Sequence, residues 1–361
     1  MKLKYFIVPM LAAVVLAGCG DKEANSPIGD PVTTTAAEQT TAATEAPTSG
    51  EPVLSKEGMV RSILTGEWVP EEVGNRRPLA IMINNIEDAD PQSGIDRAEI
   101  IYEAYVESNI TRLMMILQDY DDMDKIGPVR SCREFYVYFA KEFDAIYIHF
   151  GFSPLAANLL ADPDVQALDG MKGWCSFYRT TDRVAPHNAY TTTEGILGSI
   201  DVKKWDTTLA DNFEGPLKFT QYDDVEVCFD DAYNCTKFKP GFQRNKPELI
   251  YNESDGLYYR NQYGRAHCDM ESGKQLAFKN ILVKFVNGTR YENGTPILEL
   301  TGTGSGYYAT NGKIIQVTWK KDTQFGPTKY YYLDGTEVEL NQGKTYIAVI
   351  MNDNFGDVSF E

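Results

Sequence analysis

Arg77-Pro78-Leu79-Ala80-Ile81-Met82-Ile83-Asn84-Asn85 is the stretch on which the fold turns. Between Pro78 and the Asn84-Asn85 pair the residues are apolar without a break. Such a run, closed by turn-forming residues, suits a strand buried on both faces rather than one with a wet side. Asp90-Pro91-Gln92-Ser93-Gly94 follows as a turn. Working outward, residues 95–99 form a short predicted helix and residues 100–107 a strand. Residues 111–118 read as the neighbouring strand, with Asn109 in the turn between them. Residues 132–143 place Phe135, Val137, Tyr138, Phe139 and Phe143 on a predicted helix. Ser131 at its N-cap and Glu134 three residues on have capping-box spacing. Residues 145–150 return to strand character. Gly151-Phe152-Ser153-Pro154 then turns into a predicted helix over 155–160, with Pro154 in its first turn. Strands alternating with helices predict an α/β or α+β N-terminal domain, taken as residues 58–215 and opening with a short amphipathic segment at 59–64.

The second half has another texture. Phe238, Tyr251, Tyr258 and Tyr259, with runs at 281–286, 306–309, 314–319, 329–333 and 346–351, read as short strands. Asn287-Gly288, Asn293-Gly294, Asn311-Gly312 and Asp334-Gly335 suit the positive-φ positions of tight hairpins. Tyrosine-rich strands fit partly exposed sheet faces. Residues 216–361 are therefore predicted to be a mostly β C-terminal domain.

The first residues carry an address. Lys2 and Lys4 precede an apolar core at residues 5–15, shorter than the roughly 20 residues of a membrane span. Leu16-Ala17-Gly18-Cys19 supplies a small-residue exit and a thiol, so residues 1–18 read as a lipoprotein signal peptide. The ending resembles the bacterial lipobox, which implies cleavage before Cys19 and its acylation. Residues 19–57 are rich in Thr, Ala, Pro, Ser and Glu and lack an apolar period. They are expected to form a disordered, lipid-anchored tether. The folded part is thus expected to be extracytoplasmic, with the bacterial membrane as a partner through the N-terminal lipid.

The chain has 361 residues, with 52 acidic and 34 basic side chains and a formal net charge of -18. Phosphate neutralisation drives non-specific nucleic-acid binding, so this balance argues against that partner. Of six cysteines, Cys19 is assigned to the lipid. Cys228 and Cys235 are the candidate disulfide by proximity, in a compartment that permits one. No Cys-X-X-Cys occurs. His267-Cys268-Asp269 lacks a spaced second ligand pair, so no metal site is assigned. Gly302-Thr303-Gly304-Ser305-Gly306 lacks the Lys-Ser or Lys-Thr of a phosphate loop and reads as a turn or bulge. No cofactor is expected.

The basic residues Arg112, Arg130, Arg133, Arg179 and Arg183 stand out against so acidic a background. Arg130 and Ser131 lie just before a predicted helix, where amides and guanidiniums can clamp an anion. Glu103 and Glu107 share one side of the predicted strand by its two-residue period. They can orient the arginines. His187 can exchange protons near neutral pH. The competing reading is an internal salt-bridge network of Arg112, Arg130 and Arg133 with Glu103, Glu107 and Glu134. The residues point to a binding or interaction module with an anion-friendly arginine-rich site. An envelope protein, a glycan or a phosphate-containing compound fits as ligand. The alternatives are an envelope hydrolase or transferase on a phosphate-containing or glycan substrate, and a scaffold without a small-molecule site.

Several phrases carry a family resemblance. Residues 77–85 with Pro91-Gln92-Ser93-Gly94, residues 107–112, and Ile126-Gly127-Pro128-Val129-Arg130-Ser131-Cys132-Arg133 resemble YerB-like bacterial lipoproteins. Ala185-Pro186-His187-Asn188, Tyr259-Arg260, His267-Cys268-Asp269, residues 302–306 and Val317-Thr318-Trp319-Lys320 extend the likeness, from about Arg77 to Val349. The resemblance implies a two-domain lipoprotein and assigns no reaction. Two positions depart from it: Cys132 stands where a small residue such as alanine is expected, and Ser108 where glycine is usual. A thiol role for Cys132 is therefore without family support.

Overall fold

The computed structural model describes residues 52–292 and 294–361. The expected signal peptide, Cys19, most of the tether and Asn293 of one expected turn lie outside the described residues. The last stretch of the expected tether is attached to the body: the Val53 amide donates to Gln221 O at 3.1 Å.

The elements that position the site are β1 (Leu79–Asn84), β2 (Ile100–Tyr105), β3 (Thr111–Leu117), α1 (Glu134–Glu142), β4 (Ile146–His149), β5 (Ala167–Asp169) and α2 (Thr193–Lys203). The second half adds β6 (Glu248–Asn252), β7 (Leu257–Gln262), β8 (Asn280–Val286), β9 (Gly302–Thr310), β10 (Lys313–Lys321) and β11 (Thr345–Met351). The largest sheet has eleven strands. From one edge it runs Tyr233–Asn234, β10, β9, β8, β11, β2, β3, β1, β4, β5, with Lys329–Tyr331 paired beside β10.

One sheet therefore joins the two halves of the chain. The seam is the parallel pair β11–β2, in register from Thr345↔Ile100 to Val349↔Ala104. β3 lies antiparallel between β2 and β1, with Tyr105↔Thr111 and Asn84↔Arg112 as end pairs. β1, β4 and β5 are mutually parallel. Strands β1, β2, β4 and β5 consequently end at the same edge, and β3 begins there.

The unbroken apolar run of β1 is buried at every residue, as a strand covered on both faces requires. Ala80 and Met82 face one core with Phe135, Tyr136 and Phe139 of α1. Leu79, Ile81 and Ile83 face the other, with Ile196 and Ile200 of α2 and Phe238, Leu249 and Tyr258 of the second half. Phe139 stacks on Tyr102 of β2 at 4.7 Å, which fixes α1 against the sheet. Burying an aromatic side chain of this kind contributes about 1.5–3 kcal/mol. The mostly β second half and the α/β character of the first both appear.

Several local expectations are corrected. Helix α1 starts at Glu134 with Arg133 as N-cap and no side-chain cap bond, so the Ser131–Glu134 capping box does not form. Residues 131–132 are still held alongside the chain after β4, with Cys132 bridged to Phe152. The expected helix over 155–160 is two short 3-10 turns, Pro154–Ala156 and Leu159–Ala161. Helix α2, which the sequence reading did not assign, is capped by Thr192 Oγ1 accepting from the Gly195 amide at 3.0 Å. Residues 302–306 are neither loop nor turn but the start of β9. A Cβ at Gly304 would lie 2.5 Å from the Trp319 indole nitrogen, so glycine there lets a ring cross the strand. Cys228 and Cys235 are both free thiols, the first exposed and the second buried.

Candidate functional site

The common end of β1, β2, β4 and β5 gathers most of the candidate residues. Ligands of open α/β sheets bind at carboxyl ends of strands because chain reversals leave a crevice there. Here the Gly127–Arg133 segment is laid across that end. Asn84 N donates to Pro128 O at 2.9 Å, Arg130 N to Met82 O at 3.1 Å and Phe150 N to Arg130 O at 3.0 Å. Gly127 has φ +139, and a Cβ on it would lie 2.9 Å from Ala189 O. Only glycine lets the chain pass so close.

Arg112, at the start of β3, is 2% exposed. Its Nη1 donates to Ser131 O and its Nη2 to Glu107 Oε1 at 3.1 Å. Arg133 forks onto the same carboxylate, with Nε to Oε2 at 2.8 Å and Nη2 to Oε1. Burial pushes the Glu107 carboxyl up, but the Arg133 hydrogen bond and the charges of Arg112 and Arg133 outweigh it and hold it at about 2. Burial and then the Arg133 charge pull the Arg112 guanidinium down to about 9. Glu107 is the one carboxylate within ion-pair distance of this arginine group among the described residues.

Arg130 has no carboxylate within ion-pair distance among the described residues. Its Nη1 reaches Pro186 O at 3.4 Å, and its buried Nε has no hydrogen bond. Burial, then the charges of Arg133 and Arg179, lower its pKa against the opposing charge of Glu107. Arg179 Nη1 donates to Asn188 Oδ1 at 2.7 Å, and its guanidinium lies 5.0 Å above the Phe150 ring. His187 Nδ1 faces the Asn84 amide nitrogen at 2.8 Å. With Asn84 donating, Nδ1 accepts and the ring proton sits on Nε2. Burial and the Arg130 charge depress the His187 pKa, so the ring is neutral at neutral pH.

Two expected members fall elsewhere. Arg183 is pinned to the backbone, donating to Ala89 O and to Pro91 O at 2.6 Å. Glu103 does not share a side with Glu107, because β2 stops at Tyr105 and Glu107 lies in a 3-10 turn. Ser108 in that turn has φ +58, the left-handed conformation in which glycine is most at ease. Glu103 is instead fully buried beneath the seam. Its Oε2 accepts from Arg260 Nη2 and from Tyr346 OH, each at 2.7 Å. Its Oε1 accepts from Asn85, Thr111 and Asn245. Glu134 makes no ion pair among the described residues. His267 is also consumed internally, between Arg260 Nη1 and Gln92 Oε1. The buried ion pair Glu103–Arg260 was missed because its members lie far apart in sequence and only the seam brings them together. Asn84 was visible in the opening motif, but as a strand stop rather than as the support of a histidine.

Chemically, the edge presents guanidiniums in excess over carboxylates and a neutral imidazole N–H, and its one His–Asp pair among the described residues, His149 and Asp169 at 3.8 Å, is buried. Arginine forks of this kind recognise carboxylate or phosphate.

Comparison with known proteins places the chain. Residues 64–206 match the family described as "Protein of unknown function (DUF3048) N-terminal domain", and residues 238–347 match its C-terminal domain. The "Putative lipoprotein YerB" of Bacillus subtilis (strain 168) is 30% identical over 306 residues, covering 83% of this chain and 89% of that protein. The crystal structure of the YerB protein from Bacillus subtilis is similar with a TM-score of 0.73 at 28% identity, covering 84% of this chain and 99% of that one. With both domains matched and a relative this similar along most of its length, the chain belongs to the YerB-like two-domain family.

Proposed function

We propose that this chain is an envelope lipoprotein, anchored through Cys19, whose folded part binds an anionic group at the arginine edge. The observation that carries the reading is Arg130: a half-buried guanidinium with an unpaired buried Nε and, among the described residues, no carboxylate within ion-pair distance, where the more distant Glu107 charge does not offset burial and the like charges of Arg133 and Arg179. Desolvated charge without a partner is costly, and an anion arriving from solvent supplies the missing partner. Arg179 and the His187 Nε2 proton add donors beside it, while Arg112 and Arg133 are held by Glu107. The anchor rests on the lipobox-like ending and on the name of the Bacillus subtilis relative. The division into residues 58–215 and 216–361 belongs to the same reading, the two parts sharing the sheet at β11–β2.

The hydrolase or transferase reading has less support. Glu103 is locked under the seam, Glu107 is neutralised by two arginines, and His187 offers a proton donor rather than a free base at neutral pH. Calorimetry of the full chain with inorganic phosphate and with small carboxylates tests the proposal. Binding that weakens about tenfold or more in Arg130→Ala is expected. Equal binding by both proteins removes Arg130 from the site, and no binding by either leaves the scaffold reading.

A further inference from the structure

We infer that the cleft beside the arginine edge is the second half of the same site, and that its ligand is an acidic saccharide, a sugar ring carrying a carboxylate or phosphate. The inference rests on the anion-binding reading and adds the ring to it. The cleft has a volume of about 240 Å³ and is lined by Phe150, Gly170, Gly173, Ser176, Phe177 and Tyr178, with Arg179 on its rim. That is below the roughly 300–1,000 Å³ of most small-molecule pockets and suits a single ring.

Its construction follows from the ends of β4 and β5. Phe150 follows β4 directly, and Gly170 follows β5. A Cβ at Gly170 would lie 2.4 Å from Phe177 Cδ2 and 2.5 Å from Phe150 Cδ2. The missing side chain lets the two rings meet edge to face, with centroids 5.1 Å apart. Tyr178 is 39% exposed beside them and stacks on Tyr190. Aromatic faces are electron-rich, so they favour the slightly positive C–H face of a sugar. Ser176 and the backbone of two glycines border the rings and suit hydroxyls at the sugar edge.

Arg179 links the halves of the site. It lines the cleft, covers Phe150, and its charge bears on Arg130. An inorganic anion has no use for the rings, and a neutral aromatic ligand has no use for the guanidiniums. A sugar with an acidic substituent uses both. A polynucleotide also combines rings with phosphates, but a chain of net charge -18 repels it.

The test is calorimetry on the full chain with glucose 1-phosphate, galacturonic acid, inorganic phosphate, acetate, glucose and N-acetylphenylalanine. The two acidic sugars separate a phosphate requirement from a carboxylate requirement. Each preferred acidic sugar is expected to bind about tenfold more tightly than its matching simple anion. Phe177→Ala and Tyr178→Ala are expected to erase that ratio while leaving phosphate or acetate affinity unchanged, and Phe177→Tyr to restore it. Thermal unfolding checks that Phe177→Ala folds, and the exposed Tyr178 gives a second variant that does not rely on it. An acidic sugar that binds no better than its simple anion overturns the saccharide assignment and leaves the anion site standing. N-acetylphenylalanine binding more tightly than either sugar overturns it in favour of a peptide end. Failure of every anion overturns both readings, and glucose matching the acidic sugars overturns the need for an acid.

Discussion

Two arginine–glutamate clusters are built on glutamates a few residues apart in sequence and do opposite things. At Glu103 the charges are matched: both carboxylate oxygens are filled by Arg260, Tyr346, Asn85, Thr111 and Asn245, and both ion-pair members have 0% side-chain exposure, although Arg260 Nε itself makes no hydrogen bond. Its donors come from both halves of the chain, so the cluster fastens the seam. Lys321 and Glu142 repeat the pattern elsewhere, 2.7 Å apart and buried. At Glu107 one carboxylate faces Arg112 and Arg133, while Arg130 has no carboxylate within ion-pair distance among the described residues. Residue type does not separate the two clusters. Stoichiometry does: a matched buried pair specifies the fold, and an unmatched one at a sheet edge leaves capacity for a ligand.

The comparison breaks most visibly at Arg260. Arg260→Ala strands the Glu103 carboxylate in the core and is expected to cost about 3–5 kcal/mol, read as a lowered urea midpoint. A loss below about 1 kcal/mol would show that the seam does not depend on the pair. Arg130→Ala should do the reverse. Anion affinity falls by about 1.5–3 kcal/mol, while unfolding stability holds or rises, since a desolvated charge is removed. A large stability loss in this variant would move Arg130 to the structural side.

Acid sharpens the distinction further. Glu107 is held at about 2, below the roughly 4.3 of an unperturbed glutamate. A depressed carboxyl pKa contributes stability that is whole above the unfolded value and is lost as pH falls through the folded one. Urea midpoints should therefore drop between about pH 4.3 and 2, and Glu107→Gln should flatten that part of the profile. The smallest effect is at His187. His187→Ala removes one neutral donor and should weaken phosphate binding by about 0.5–1.5 kcal/mol. The loss should be the same at pH 7 and 8, since the ring is already neutral.

The strands were legible because burial writes itself into composition. The β1 run, the paired runs of β2 and β3, and the turns at Asn311-Gly312 and Asp334-Gly335 follow from local rules, whereas the expected tight turn at Asn287-Gly288 is absent: neither residue has a positive φ and Gly288 opens a new strand. The five arginine candidates stand out against an acidic composition, which cannot tell a side chain left at an edge from one tied to backbone carbonyls, as Arg183 is. What local rules miss is partnership. Glu103 and Glu107 obey strand periodicity on paper, but β2 stops at Tyr105 and Glu107 falls in the 3-10 turn that follows. The capping box at Ser131 fails because the chain there is still bound to the segment after β4. The glycines of β9 look like a loop until Trp319 is placed against Gly304. The aromatic cleft depends on Gly170, whose role appears only when Phe150 and Phe177 are brought together from different loops.

The seam has a consequence for how the molecule is made. β11, near the C-terminus, occupies the middle of the sheet between β8 and β2. A chain emerging from its N-terminus can form β1, β2 and β3 early, but the flank of β2 stays unpaired until Thr345 and its neighbours arrive. Contacts of such long sequence separation close slowly. Partly synthesised chains therefore carry an open, apolar strand edge, and a truncation before Thr345 would keep it open permanently. The architecture makes folding wait for nearly the whole chain.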